Sequence, residues 1–295
     1  MKTTTDELQT FIAIVDAGSI TAAAERLGQT TSGGSRTLSR LEKKLDTTLL
    51  MRTTRKIQLT EDGKVFLEHS RSIVNAFDEA EEAVTSHSKT ASGLLRVDSA
   101  SPFILHSIVP YMDEFTKLYP GIKLELHSSE RIVDLVEKRI DVAIRIGNLQ
   151  DSTLHAKSLK PSTLRILASP KYLEKYGTPK TVEDLAKHKL IGFTDPKELN
   201  YWPLRTAKSD TYIANCHINA SSGETIFQLV KRGVGIACLS DFMTMPDIEK
   251  GSLVQILKNH TVDSRQPIQA VYYRNTQLSS RITLFIEFLQ KKLKA

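Results

Sequence analysis

The sequence predicts an α/β protein in two parts: a small all-α N-terminal unit closed by a hairpin, and a larger C-terminal domain of two lobes. Three observations lead there. An apolar period near 3.6, interrupted by glycine turns, runs through the first 45 residues; it gives way to alternation over 49–59; and beyond residue 91 strands alternate with amphipathic helices. A chain of 295 residues also suits two or three compact units better than one core.

The first helix is expected over 6–17, where Leu8, Phe11, Ile12, Ile14 and Val15 share a broad face before Gly18. Ser19 is placed to cap a short second helix through Ala22, Ala23, Ala24 and Leu27, with Gly28 suited to a left-handed exit. A third helix follows to about Leu45, burying Leu38, Leu41 and Leu45 and presenting Thr31, Ser32, Ser35, Arg36, Ser39, Arg40 and Lys43 on the other side. Residues 49–59 read as a basic hairpin. Thr60 then caps a long helix with Glu61 and Asp62 in its first turn. Phe66, Ser70, Ile73, Phe77, Ala80 and Val84 follow at alternating spacings of four and three, a coiled-coil seam that a lone helix cannot bury, so Phe66, Ile73, Phe77, Ala80 and Val84 are expected at a dimer interface.

The small, polar stretch over 86–93 reads as a hinge. The expected division is a helical unit with its hairpin over 1–60, a linker and dimerisation helix with its hinge over 61–90, and a two-lobed domain over 91–295. Within the last, one lobe takes about 91–162 and 267–295 and the other about 163–266. Alternation of strands with helices over 102–118, 131–139 and about 222–232 predicts crossover units and a mostly parallel sheet. The closing pieces are the strand IQAVYY and a helix through Ile282, Phe285, Ile286 and Leu289.

Composition narrows the function. Hydrophobic residues make up 40% and charged residues 25%, an ordinary globular balance. No apolar run reaches a bilayer span and no leader pattern opens the chain, so no membrane association is expected and the location expected is the cytoplasm, at the nucleoid. Cys216 and Cys238 are too few for a disulfide framework and read as small buried hydrophobes; neither a metal nor a cofactor is expected. The formal net charge of +6 misleads by itself, because residues 1–90 hold 12 basic against 13 acidic side chains and residues 91–295 hold 28 against 21. Local clustering is more informative. Between residues 26 and 56, Arg26, Arg36, Arg40, Lys43, Lys44, Arg52, Arg55 and Lys56 face only Glu42 and Asp46. Helix, turn, helix and basic hairpin form the arrangement that seats a recognition helix in the major groove of double-stranded DNA.

The same stretch reads S-x-x-x-A-A-x-x-L from Ser19, S-R-x-L-x-x-L-E from Ser35 and R-x-x-R-x-x-x-L-T-x-x-G from Arg52. It resembles the DNA-binding signature of LysR-type transcriptional regulators, in the branch of malate-utilisation activators and contact-regulated repressors. Weaker similarity continues through VDSA near 97, DVAIRIG near 141, ASPKYLEKYGTP near 168, ASSGE near 220 and GVGIACLSDF near 233. The resemblance implies a winged helix-turn-helix and a periplasmic-binding-protein-like effector domain. It implies that Thr31, Ser32, Ser35, Arg36, Ser39 and Arg40 contact bases or phosphates, and that Arg52, Thr53 and Arg55 on the wing hold the backbone. It further implies a dimer of dimers or a larger homo-oligomer on a pseudo-palindromic operator, working with RNA polymerase. Departures from the family pattern are Thr31, the pair Gly33-Gly34 and Asp46, and the glycines predict a loosened recognition helix.

Strand-to-helix junctions in such α/β lobes form ligand clefts. The residues expected there are Ser99, Ala100, Ser101, Ser128, Ser129, Arg145, Phe193, Ser221 and Ser222. Hydroxyls, amides and one arginine favour a small organic anion as effector. An enzyme and a free-standing solute-binding protein are the rival classes. The first lacks G-x-G-x-x-G, P-loop, H-E-x-x-H and G-x-S-x-G motifs, and the second has no use for residues 1–90.

Overall fold

The computed structural model describes residues 3–52, 57–85, 91–132, 134–135, 138–149, 154–273 and 279–294; the side chains of residues 52, 75 and 78–85 fall outside that description. The chain divides into two compact units, the first from Met1–Thr90 and the second from Ala91–Arg274 and Ser280–Ala295.

In the first unit α1 (Thr5–Ala17), α2 (Ile20–Arg26) and α3 (Thr31–Leu45) precede a hairpin of β1 (Leu50–Arg52) and β2 (Ile57–Leu59), and α4 (Glu61–Thr85) follows. Local chemistry sets the boundaries. Thr4 and Glu7 form a reciprocal capping box on α1, and Gly18 ends it at φ 63°. Ser19 and Thr30 cap α2 and α3 through their hydroxyls. Asp46 takes the left-handed turn after α3 (φ 51°), so the helix stops where family members commonly use glycine although the residue is not glycine. Phe11, Ile14, Ala23, Leu38, Leu41, Leu49 and Leu67 form the core. Glu42 joins the end of α3 to the hairpin by accepting the Leu49 and Leu50 amides at 2.9 and 3.1 Å.

In the second unit, β3 (Gly93–Ser99) leads to α5 (Ser101–Phe103), a π-helical turn over Ile104–Ile108, a 3-10 turn over Val109–Tyr111, and α6 (Met112–Leu118). The expected continuous helix over 102–118 is therefore broken, and Pro110, which lacks an amide proton, sits in the break. β4 (Ile122–Ser128) and β5 (Val142–Ile146) come next, both parallel to β3. No helix occupies 131–139 among the described residues; a single Lys138-to-Asp134 bond closes one turn before Arg139 takes φ 55°. β6 (Leu154–Ser158) ends the first passage through this lobe.

The second lobe holds β7 (Ser162–Ala168), α7 (Pro170–Tyr176), β8 (Ile191–Phe193), β9 (Tyr201–Trp202), β10 (Tyr212–Ile213), β11 (Ile218–Ala220), α8 (Gly223–Lys231) and β12 (Ala237–Ser240). It continues through α9 (Asp241–Glu249), β13 (Val254–Gln255) and β14 (Arg265–Gln266). β15 (Ile268–Tyr273) and α10 (Ser280–Lys294) return to the first lobe, where Phe285 and Phe288 pack edge-on against Phe115. α9 has no sequence signal of its own: its apolar residues follow no helical period and Pro246 lies inside it.

The expectation of a mostly parallel sheet is corrected. The first-lobe sheet has the order β4-β3-β5-β15-β6, with β15 antiparallel to both neighbours, and β12, β13 and β14 all run antiparallel to β7. Among the described residues β3 pairs in parallel with β4 and β5, and β8 pairs in parallel with β11; β15 enters directly from the other lobe, so its direction is set by that return. The lobes are linked by two adjacent passages, 159–161 and Pro267. Leu159 N–H donates to Ile268 O at 2.7 Å and Gly147 N–H to Pro267 O at 2.8 Å, tying the passages to the sheet.

Two glycines give opposite expectations. A Cβ on Gly63 would overlap the Leu49 carbonyl oxygen, where α4 approaches β1 most closely, whereas one on Gly34 would sit 3.7 Å from Ile20 Cγ2 and 3.8 Å from Ala24 Cβ in ordinary contact. Gly63→Ala is expected to lower stability by about 1–3 kcal/mol, and Gly34→Ala to raise it by about 1 kcal/mol; midpoints of urea unfolding for the two variants measure both signs.

Candidate DNA-binding surface and ligand cleft

α3 separates its faces as its period requires. Leu38 and Leu41 are buried; Thr31, Ser32, Arg36, Ser39, Arg40 and Lys43 are exposed, and Ser35 is half-buried. Gly33 donates its amide to the Thr30 hydroxyl at 3.1 Å, so the first glycine belongs to a closed cap. A Cβ there would lie 3.0 Å from that hydroxyl.

The electrostatic centre of this surface is a residue that the apolar reading of α1 passed over. Glu7 is fully buried, yet its carboxylate accepts from Thr4 N–H at 3.0 Å, Arg40 Nε at 2.7 Å and Lys44 Nζ at 2.8 Å. Burial pushes the Glu7 pKa up, but the Lys44, Thr4 and Arg40 hydrogen bonds and the Lys44 charge outweigh it and bring the pKa from 4.5 to about 2. Arg40, still mostly exposed, is thereby held by its Nε on the helix face that carries Arg36. The T-x-x-E spacing from Thr4 was the available signal for Glu7. The wing residues Thr53 and Arg55 lie outside the described residues, as does the side chain of Arg52.

Along α4 the expected seam divides. Phe66 packs on Phe11, with ring centroids 5.6 Å apart, and Ser70 is buried with its hydroxyl donating to Phe66 O at 2.6 Å. Within this unit Phe66 is half-buried against the core and Ser70 is buried. α1 must cover its Phe11 face, and the start of α4 is the element that does so. Ile73 and Phe77 are 54% and 48% exposed, large apolar side chains that this unit leaves uncovered. The Ala80 and Val84 side chains lie outside the described residues.

In the second unit a cavity of about 460 Å³ opens between the lobes. Of the residues expected there, Ala100, Ser129, Arg145, Phe193 and Ser221 line it. Four do not. Ser99 is buried and donates to Ile144 O at 3.1 Å, and Ser222 caps α8 through Glu224 N–H at 3.2 Å. Ser128 remains on the exposed part of β4, and Ser101 turns to Glu130, its hydroxyl and its amide (3.3 Å) both directed at Oε1. Each of the four was chosen for its sequence position, which does not show which way a hydroxyl points.

Arg145 also differs from expectation. Its Nη1 lies 2.8 Å from Oδ2 of Asp98, a fully buried carboxylate one strand away, so the cationic anchor foreseen for a ligand already faces an internal anion. Sequence reading missed Glu130, Arg131, Asp195, Glu198, Tyr201, Phe242 and Met243, which also line the cavity. They come from loops, the 3-10 turn over Lys197–Asn200, the start of β9 and α9, where no periodic pattern marks them. Asn200 holds the mouth by accepting from Phe193 N–H and donating to Phe193 O, both at 2.8 Å. Across the lobes, His106 of the π-helical turn meets Glu224 of α8, Nε2 to Oε2 at 2.7 Å, and stacks edge-on against Phe227. Among the described residues no His, Cys, Asp and Glu cluster could hold a metal ion, and no helix is long and apolar enough to cross a membrane.

Comparison with known proteins covers both units of the chain. The family model for the bacterial regulatory helix-turn-helix protein, lysR family, matches residues 5–64, and that for the LysR substrate binding domain matches residues 88–294. The chain is 42% identical over 293 residues to the HTH-type transcriptional regulator CrgA of Neisseria meningitidis serogroup C (strain 8013), covering 99% of this chain and 98% of the relative. It is 30% identical over 286 residues to the HTH-type transcriptional activator TtdR of Escherichia coli (strain K12), covering 96% and 91%. The solved structure of CrgA from Neisseria meningitidis superposes with a TM-score of 0.69 at 41% identity, covering 100% of both chains.

The Glu7 network carries a pH prediction. The folded pKa lies below the unfolded value, so the stabilisation is complete above about pH 4.5 and is lost as pH falls toward 2. Glu7→Gln is expected to cost about 3 kcal/mol at pH 7, and the gap from the parent protein should narrow steadily in unfolding curves between pH 4.5 and 2.

Proposed function

Because the chain belongs to the LysR family of transcription regulators, DNA-binding proteins with an effector-binding domain, we propose that it reads a pseudo-palindromic duplex operator through α3 and answers to a small molecule held between its C-terminal lobes. The observation that carries the reading is the division of α3 into a buried leucine face and an exposed face of hydroxyls and arginines anchored by Glu7. Thr31, Ser32, Ser35, Arg36 and Ser39 contact base edges and phosphates. The Arg36 fork suits guanine O6 and N7, and Arg40, oriented by Glu7, grips a phosphate. Arg52, Thr53 and Arg55 hold the flanking backbone and set register.

Two copies pair through α4 from Ile73 onward, with Phe77, Ala80 and Val84, presenting recognition helices about 34 Å apart for successive major grooves. The effector domains join dimers into a tetramer or larger assembly. Effector binding changes the spacing of the DNA-binding units and with it contact to RNA polymerase, which requires different ligand affinity in the two arrangements. The regulator works in the cytoplasm at the nucleoid and catalyses no reaction, in keeping with relatives named as transcription regulators.

Retention and sequencing of genomic fragments by the purified chain tests the reading; no preference over random duplex at moderate salt overturns it. Arg36→Ala should cost about 1–3 kcal/mol on the preferred operator and flatten base preference, whereas Lys43→Ala should weaken all sequences alike and reduce the salt slope by about one. Phe77→Glu should shift the chain toward monomer in sedimentation at micromolar concentration while leaving helix content unchanged, since Phe77 is half exposed within its own unit.

A further inference from the structure

Resting on the reading of the interlobe cavity as the effector site, we propose that its ligand is an organic cation with an apolar body, an amine or quaternary ammonium, and not the anion that the sequence favoured. The one arginine foreseen for an anion is matched internally, since Arg145 faces the buried carboxylate of Asp98 across 2.8 Å. The charge that remains on the lining is three carboxylates, Glu130, Asp195 and Glu198, against Arg131. Glu130 accepts from the Ser101 hydroxyl and keeps its charge. Asp195 and Glu198 have no ion pair and no side-chain hydrogen bond among the described residues. A cavity with apolar walls focuses such a field, so an entering cation gains from it and an entering carboxylate is repelled.

The segment that carries Asp195 and Glu198 is held from both ends. Asn200 closes it onto Phe193, accepting from Phe193 N–H and donating to Phe193 O, both at 2.8 Å. The approach is open because residue 192 is glycine; a Cβ there would overlap Asn200 Oδ1. Within the segment Thr194 N–H donates to Ala220 O at 3.1 Å and Leu199 N–H to Pro196 O at 3.2 Å. The two carboxylates are thus carried on a fixed backbone, which lowers the ordering cost of pairing them with a ligand. Aromatic rings border the same segment: Phe193 and Tyr201 flank it and Phe242 also lines the cavity, and ring faces attract a cation while offering an anion nothing comparable. Ile144, Leu164 and Met243 add area for an apolar body. Among the described residues no His, Cys, Asp and Glu cluster could hold a metal ion, so the cation is an organic one.

Isothermal calorimetry of the full-length chain with three probes of one skeleton, phenethylamine, 2-phenylethanol and 3-phenylpropionate, tests the assignment. The amine should bind roughly fivefold tighter than the alcohol and roughly tenfold or more tighter than the acid. Asp195 and Glu198 are exposed, so Asp195→Asn combined with Glu198→Gln leaves the core intact. That double variant should weaken the amine roughly fivefold, to the level of the alcohol, and change the alcohol by less than about twofold. Tyr201→Ala, which alters the wall without altering charge, should weaken amine and alcohol together. An acid that binds the parent protein as tightly as the amine overturns the proposal while leaving the cavity as an effector site, as does an amine that the double variant leaves unchanged but Tyr201→Ala weakens. Binding indifferent to Tyr201→Ala, or no heat from any of the three probes, counts instead against the cavity as the effector site and removes the proposal with it.

Discussion

A carboxylate buried without solvent must be satisfied in full by its neighbours, and Glu7 meets that condition with groups drawn from both the start of α1 and the far half of α3. Hydrophobic contact between Leu38, Leu41 and the α1 face holds the helices together but is non-directional; alone it leaves α3 free to roll. Charge-assisted hydrogen bonds are directional. Glu7 fixes one side of the helix through Arg40 and Lys44, and Glu42 fixes the end that meets the hairpin through the Leu49 and Leu50 amides. Two carboxylates thus set the angle at which Thr31, Ser32 and Arg36 face outward. The same contact ties the end of α3 to the start of β1.

The second unit follows a comparable rule on a different frame. Two adjacent chain passages join its lobes, and the cavity lies between sheets whose strands run in mixed directions. Several of its polar groups are turned on one another: Asp98 on Arg145, Glu130 on Ser101, His106 on Glu224 across the lobes. A buried Asp98 without Arg145 would be a severe desolvation burden, so the arginine is structural before it is anything else. The His106–Glu224 contact joins the two lobes directly.

Much of the N-terminal unit was legible because its signals are local. Ser19, Thr30 and Thr60 act within three residues of themselves, Gly18 and Gly28 need only a left-handed φ, and the period of Leu38, Leu41 and Leu45 marks the buried side of α3 and its end near Leu45. The recognition face follows from that period with no tertiary information. The seam on α4 was legible as a pattern but not in its use. Periodicity says that Phe66 and Ser70 must be covered; it does not say whether by a second copy or by α1. In the larger unit the alternation of strands and helices was readable, while α9, which lacks a period, and the left-handed turn at Arg139 were not.

By itself the sequence determined, in the N-terminal unit, where the helices lie, which face of each is apolar, and that a hydroxyl- and arginine-rich surface follows a tight turn. Only the tertiary structure decided that Glu7 holds Arg40, that β15 runs antiparallel, that Ser99 and Ser222 point away from the cavity, and that Glu130 and Asp98 meet the groups foreseen for a ligand. The reason is range. Caps and periods are interactions within one turn, whereas Glu7 to Lys44, Asp98 to Arg145 and Ser101 to Glu130 join residues tens of positions apart, and such pairing is settled only when the packed elements bring their side chains together.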